Sequence, residues 1–240
     1  HEKWQAASYL QKMHQDIELR LNKVLGDIHL ACKKINKPND CVKLIAVSKL
    51  QSSEVINEAY DLGLRDFGEN YAQELSQKSL SCPKDIIWHF MGPIQTNKIK
   101  TIAKHAAWVH SLDRTKVAMK LDAECKSLKK TISVLIQVNI DNEPTKSGVQ
   151  PQDVISFAKE LEGNYPNLKL EGLMFMPNID ANVKDKVETY KNIISLQGSL
   201  LKVLPDCTQL SLGTSSDYED AIIAGSTMIR LGEILLGQRS

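Results

Sequence analysis

The 240-residue sequence lacks an excess of either charge: 30 basic residues stand against 29 acidic ones, for a net charge of +1. With no basic tract interleaved with aromatics, nucleic-acid binding is not expected. Long hydrophobic runs are also missing. Stretches such as Ile86-Ile87-Trp88-His89-Phe90-Met91 fall far short of the roughly 18 residues that cross a bilayer, so no membrane association is expected. Residues 1–25 carry charges throughout, and no signal peptide is expected there. Cysteines are few and odd in number: Cys32, Cys41, Cys82, Cys125 and Cys207, with no Cys-x-x-Cys. That spacing argues against disulfide and metal frameworks and points to a reducing, cytoplasmic setting. Most of these thiols are expected to serve as small buried hydrophobes. No Pro/Gly/Ser-rich linker divides the chain, so one domain is expected; a monomer is also expected.

What is present is a rhythm. Residues 3–36 read as a long helix, because Leu10, Met13, Ile17, Leu21, Val24 and Ile28 recur at three- and four-residue steps. Pro38-Asn39-Asp40 breaks it. Strands are then predicted at 43–48, 65–68, 86–91, 107–111, 132–140, 168–174, 208–212 and 227–231. Helices are predicted between them, at 52–62, 70–79, 95–104, 114–128, 151–162, 184–203 and 216–225. Strict alternation implies a parallel sheet with crossover helices. Eight units in one chain imply an α/β fold of the closed (β/α)8 TIM-barrel type, occupying 43–237 after an N-terminal helix at 1–36. An open doubly wound sheet is the alternative. Too few residues follow 231 for a full eighth helix, and the N-terminal helix is expected to cover that gap.

Function in such barrels sits at the C-terminal ends of the strands. Lys49 closes the first strand, where desolvation would make an amine nucleophilic and suited to Schiff-base chemistry; an ordinary solvated lysine is the alternative. Asn70 follows Phe67-Gly68-Glu69 and would contact a ligand or cap the next helix. His89 lies in an apolar strand as a core group or a catalytic one. Lys146 lies in a polar loop long enough to reach over the mouth.

The seventh and eighth strands end in Ser211-Leu212-Gly213-Thr214-Ser215-Ser216-Asp217 and Arg230-Leu231-Gly232-Glu233. Loops at these places commonly hold phosphate through backbone amides and a helix N-terminus. Gly213 and Gly232 would let the backbone approach an anion, and Ser211, Thr214, Ser215 and Ser216 would offer hydroxyls. Ser215-Ser216-Asp217 also reads as a helix cap. Arg230, one of five arginines, sits inside an apolar strand and needs an acceptor there, either a carboxylate or a ligand. A strand-end lysine, a phosphate cradle and a buried arginine together suit pyridoxal 5′-phosphate, whose aldehyde, phosphate and ring nitrogen they match. A sugar phosphate would use the same cradle.

The same segments carry a resemblance. Ala46-Val47-Ser48-Lys49, Phe67-Gly68-Glu69-Asn70-Tyr71, Trp88 through Lys98, Lys146-Ser147-Gly148, Glu171-Gly172-Leu173-Met174, Ser211-Leu212-Gly213 and Ile229-Arg230-Leu231-Gly232 occur in collinear order over residues 43–237. Together they resemble the pyridoxal phosphate homeostasis protein family, which is similar to the N-terminal barrel of alanine racemase without its second domain. The resemblance implies that Lys49 is the Schiff-base lysine for this vitamin B6 cofactor. It places Asn70, Ser211, Gly213, Ser215, Arg230 and Gly232 at cofactor contacts, and the backbone N–H of Glu233, following Gly232, is expected to point at the phosphate. It implies a carrier or regulator of cofactor supply, with apo-forms of pyridoxal phosphate-dependent enzymes as partners and no strong catalysis. A small amino-acid racemase is the alternative, with His89 or Lys146 as its second base. The chain departs from the family pattern at Thr214, usually methionine, at Glu233, usually threonine or serine, and at Leu236, usually phenylalanine.

Overall fold

Strand follows helix throughout the computed structural model, which describes residues 2–178 and 180–239. The strands are β1 (Lys43–Val47), β2 (Asp66–Glu69), β3 (Ile87–Phe90), β4 (Trp108–Leu112), β5 (Ile132–Val138), β6 (Leu168–Phe175), β7 (Gln209–Ser211) and β8 (Met228–Leu231). They pair in sequence order, all parallel, and close with β8 against β1. The helices are α1 (Glu2–Lys34), α2 (Ser53–Asp61), α3 (Ala72–Ser81), α4 (Ile99–His105), α5 (Thr115–Ser127), α6 (Val154–Asn164), α7 (Val183–Val203), α8 (Tyr218–Ala224) and α9 (Glu233–Leu236). The closed (β/α)8 barrel is therefore the fold, and the open sheet is not.

The strands read as near-continuous apolar runs, as in Ile132-Ser133-Val134-Leu135-Ile136, because helices cover one face and the barrel interior the other. Alternation divides the two. Ile45, Met91, Leu135, Met174 and Met228 form a small interior plug with Val47 and Trp108 against it. The residues between them pack outward on the helices.

α9 is a single turn, and α1 takes the missing helix's place by packing against α2, α8 and α9. Ile17, Leu21, Val24, Ile28, Ala31 and Cys32 face inward from it. Its first turns differ from expectation: Leu10 is exposed and Met13 half-buried. A helix of 33 residues is roughly 50 Å long and outruns the barrel wall. It stops at Lys34 rather than 36, because Asn36 turns left-handed (φ 54°) and Lys37 N–H donates back to Cys32 O at 3.0 Å.

β6 carries an irregularity at Glu171, where its register with β5 shifts. Gly172 there has φ 154°, and a Cβ on it would stand 1.8 Å from Gln209 O. Only glycine lets β7 approach this closely. Among the described residues no helix is long and apolar enough to cross a membrane, and no cluster of side chains suits a metal ion.

Candidate functional site

Register brings the expected residues to one end. Val47 is level with Gly68 on β2, and Ala46 with Leu231 on β8. Lys49, Asn70, Gly232 and Glu233 thus continue side by side beyond three adjacent strands. Lys49 sits in a tight turn closed by Gln51 N–H to Ser48 O at 3.0 Å. Among the described residues nothing pairs with its half-buried amine.

Arg230 is 4% exposed and, among the described residues, has no carboxylate in contact. Its Nη1 donates to Ser211 Oγ at 2.5 Å and its Nη2 to Phe175 O at 2.9 Å. Burial pushes the guanidinium down to about 10, against the pull of Asp217, so it remains a cation at neutral pH. Among the described residues Arg230 forms no structural ion pair. A buried cation with only neutral acceptors is costly until an anion joins it.

Below Arg230 a chain of polar groups runs down the barrel interior. Ser211 Oγ meets His110 Nδ1 at 2.9 Å, His110 Nε2 meets His89 Nδ1 at 2.9 Å, and His89 Nε2 meets Asp66 Oδ1 at 2.8 Å. Lys43 pairs with Asp66 at 3.4 Å. Burial lowers both histidines, and His110 falls well below its usual value. Burial works to raise Asp66, but its hydrogen bond to His89 and the nearby charges outweigh that and lower it. With Asp66 ionised, the tautomers follow. His89 donates to Asp66, His110 donates to His89, and Ser211 donates to His110. The Ser211 hydroxyl is therefore committed downward and accepts from Arg230. It supports the arginine and does not offer the phosphate donor expected of it. His89 is likewise a core residue, with both ring nitrogens engaged, and has no face for a substrate.

The loops after β7 and β8 provide open amides. The N–H groups of Ser215, Gly232 and Glu233 donate to nothing among the described residues, and the Ser215 hydroxyl is exposed and free. α8 and α9 are too short to add much helix field, so any anion here would meet these amides rather than a helix dipole. Gly213 owes its identity to packing: at φ 106° a Cβ would come within 2.7 Å of Ala221 Cβ. Asp217 does not cap α8 through its side chain. Its carboxylate accepts from Thr214 N–H at 2.8 Å and from Tyr190 Oη at 2.6 Å, removing one amide from the cradle. Glu233 turns outward, half-exposed, and pairs with Arg239 at 3.4 Å.

Across the mouth a pocket of about 200 Å³ is lined by Asn70, Met91, Gln137, Asn139, Lys146 and Met176, among others. Asn70 does not cap α3, whose N-cap Tyr71 makes no side-chain cap bond. Asn70 Oδ1 and Asn139 Oδ1 are buried and accept nothing among the described residues. Lys146 lies between Asp141 (3.2 Å) and Glu143 (3.4 Å). Partial burial lowers its pKa, but the carboxylates outweigh this and the net direction is up.

Sequence reasoning missed four contributors: His110, Asp66, the Lys78–Glu74–Glu69 cluster beneath Lys49, and Arg239. His110 shares inward parity with Trp108 in an apolar strand, the same signal that flagged His89.

The closed α/β barrel, with Lys49 just beyond its first strand and Arg230 buried in its last, is of the class of the alanine racemase N-terminal barrels. Residues 28–240 match the family described as alanine racemase, N-terminal domain. The pyridoxal phosphate homeostasis protein of Haemophilus influenzae is 39% identical over 230 residues, covering 94% of this chain and 97% of that one. The protein of the same name from Escherichia coli K12 is 36% identical, covering 93% and 97%. The chain belongs to the pyridoxal phosphate homeostasis protein family. PipY of Synechococcus elongatus, solved with pyridoxal phosphate bound, superposes with a TM-score of 0.76 at 31% identity over 88% of this chain and 99% of that one. An alanine racemase of Clostridium difficile reaches 0.76 at 16% identity, a likeness of fold, over 92% of this chain and 56% of the racemase.

Proposed function

We propose that the chain binds pyridoxal 5′-phosphate at the barrel mouth, carries it covalently on Lys49 and serves intracellular cofactor homeostasis without strong catalysis. The observation that carries this reading is the register of β1 with β8, which sets a partner-free lysine beside an open amide cradle. When bound, the cofactor supplies an aldehyde that an amine captures and a ring that withdraws electrons.

The residues present fit that group. The amides of Ser215, Gly232 and Glu233, with the Ser215 hydroxyl, receive the phosphate. Arg230 keeps N–H groups beyond the two bound to Ser211 and Phe175 and offers one to the ring nitrogen. It does so as a fixed cation, since Ser211 and His110 hold it from below. A guanidinium so held would donate a hydrogen bond to that nitrogen without giving up its proton, and so would not help the ring act as an electron sink. Asn70 Oδ1, buried and unpaired, faces the need for a donor from a ligand or water.

The racemase alternative needs a second base opposite the lysine. His89 is buried with both nitrogens bonded. Lys146 is held as an ammonium by two carboxylates. Neither is placed to take a proton, which supports carriage over turnover. A reducing, cytoplasmic setting is the compartment that suits this role. The partner class is apo-forms of pyridoxal phosphate-dependent enzymes, served by a monomer.

The test incubates cofactor-loaded protein with an apo-enzyme and, separately, with D- and L-alanine. Reactivation of the apo-enzyme without loss of optical rotation is expected. Racemisation near about 1–10³ per second, the ordinary enzyme range, overturns the non-catalytic reading.

A further inference from the structure

The turn that presents Lys49 is strained, and α3 holds it from outside. Leu50, the next residue, has φ 60°, a left-handed conformation that a branched side chain adopts only when its surroundings impose it. Its own side chain is 48% exposed, so burial does not impose it. Hydrogen bonds on both sides of Lys49 do. Leu50 N–H donates to Glu74 Oε2 at 2.9 Å, and Lys78 Nζ donates to Ser48 O at 2.6 Å. The same ammonium donates to Glu74 Oε2 at 2.7 Å and Glu69 Oε1 at 2.6 Å, and Ser48 Oγ donates to Glu69 Oε1 at 2.8 Å. Glu74 and Lys78 lie one turn apart on α3, so a single rigid element grips the peptide groups before and after Lys49.

All three donors of the Lys78 ammonium are used, and the residue is 6% exposed. Hydrophobic residues would fill this space at least as stably as a buried ionic cluster does. A need to anchor these two backbone groups explains why the charges stand there.

We propose that Glu74 and Lys78 are positioning residues that aim the Lys49 amine at the cofactor, a role that rests on Lys49 being the attachment site. They touch neither cofactor nor the reacting atoms. They hold Ser48 and Leu50, and through them fix where the amine stands.

The test uses the full chain with three variants, Glu74→Ala, Lys78→Met and Lys49→Ala. Three readouts are taken: the rate of borohydride-stable labelling of residue 49 by pyridoxal phosphate, the pH midpoint of the bound cofactor's absorbance, and the unfolding temperature. Glu74→Ala and Lys78→Met are expected to slow labelling by roughly tenfold or more, as loss of orientation does, and to move the pH midpoint, at temperatures where they remain folded. A lower unfolding temperature with labelling rate and pH midpoint unchanged would mean the cluster is only structural, and the proposal falls. If Glu74→Ala does not fold, Glu74→Leu fills the space without an acceptor for Leu50 N–H. Labelling several-fold slower supports the proposal, and wild-type labelling overturns it. Covalent labelling that survives in Lys49→Ala would instead remove the attachment site itself, a different failure.

Discussion

Two lysines stand over the barrel mouth, and their surroundings are opposite. Lys146, on the loop after β5, is clasped by Asp141 and Glu143, which keep its amine charged. Lys49 has no carboxylate partner among the described residues; the peptide groups around it are clamped instead. One lysine is fixed by its charge and the other by its backbone. Attack on an aldehyde needs a neutral amine, and a carboxylate partner stabilises the charged form. Under the proposed function, the contrast would separate the attachment lysine from an electrostatic contact, although both lysines sit at the same rim.

The largest effect should come from Lys49→Ala, which removes covalent attachment altogether while the phosphate cradle keeps a weaker, reversible affinity. Spectral titration checks this: the protein-bound absorbance band disappears in the variant, and its persistence would erase the distinction between the lysines. The next step breaks the fixed floor beneath them. His110→Phe leaves Ser211 without its acceptor and interrupts the chain to Asp66. Cofactor affinity should fall roughly tenfold as Arg230 loosens, about the worth of one charge-assisted hydrogen bond. Calorimetric titration with pyridoxal phosphate measures it.

The same chain sets a pH dependence. The folded pKa values of His89 and His110 are depressed by burial, so the unfolded chain binds more protons below the ordinary histidine value of about 6.5. Stability is fully present above that pH and falls as pH drops toward the folded values, by up to about 1.4 kcal/mol per pH unit for each histidine. Denaturant unfolding at pH 7.5 and 5.5 should show this slope, and His110→Phe should reduce it.

Smaller effects sharpen the two-lysine contrast. Asp141→Asn with Glu143→Gln should free Lys146 and admit a minor share of borohydride labelling there at pH 8, read by peptide mass. Glu233→Thr should change cofactor affinity least, by less than about threefold. The Glu233 carboxylate is half-exposed and paired with Arg239, so its repulsion of a phosphate is screened.

How much of this could be read in the sequence depends on range. Strand and helix alternation is local, so the barrel and its order were legible. So was the shortage of chain for an eighth helix, and with it the place of α1. Lys49, Gly232 and Arg230 announced themselves by lying at or near strand ends. The pairing of Ser211 with His110 was not legible, since it joins β7 to β4 across the interior and no spacing encodes it. Asp66 lay inside the strand predicted at 65–68, and nothing local to it signals the histidine it meets on β3. Lys78 looked like any other helix lysine, since only the folded barrel shows Ser48 O and Glu69 beneath it. Gly213 showed the reverse: the sequence suggested a role toward an anion, yet what the fold displays at this residue is contact with α8, which forbids a side chain there.

The central claim is that Lys49, and not Lys146, carries the cofactor. Wild-type protein loaded with pyridoxal phosphate is reduced with borohydride, digested and mapped by peptide mass. The account expects the reduced adduct on Lys49 alone. An adduct found chiefly on Lys146, or no stable adduct at all, would contradict it.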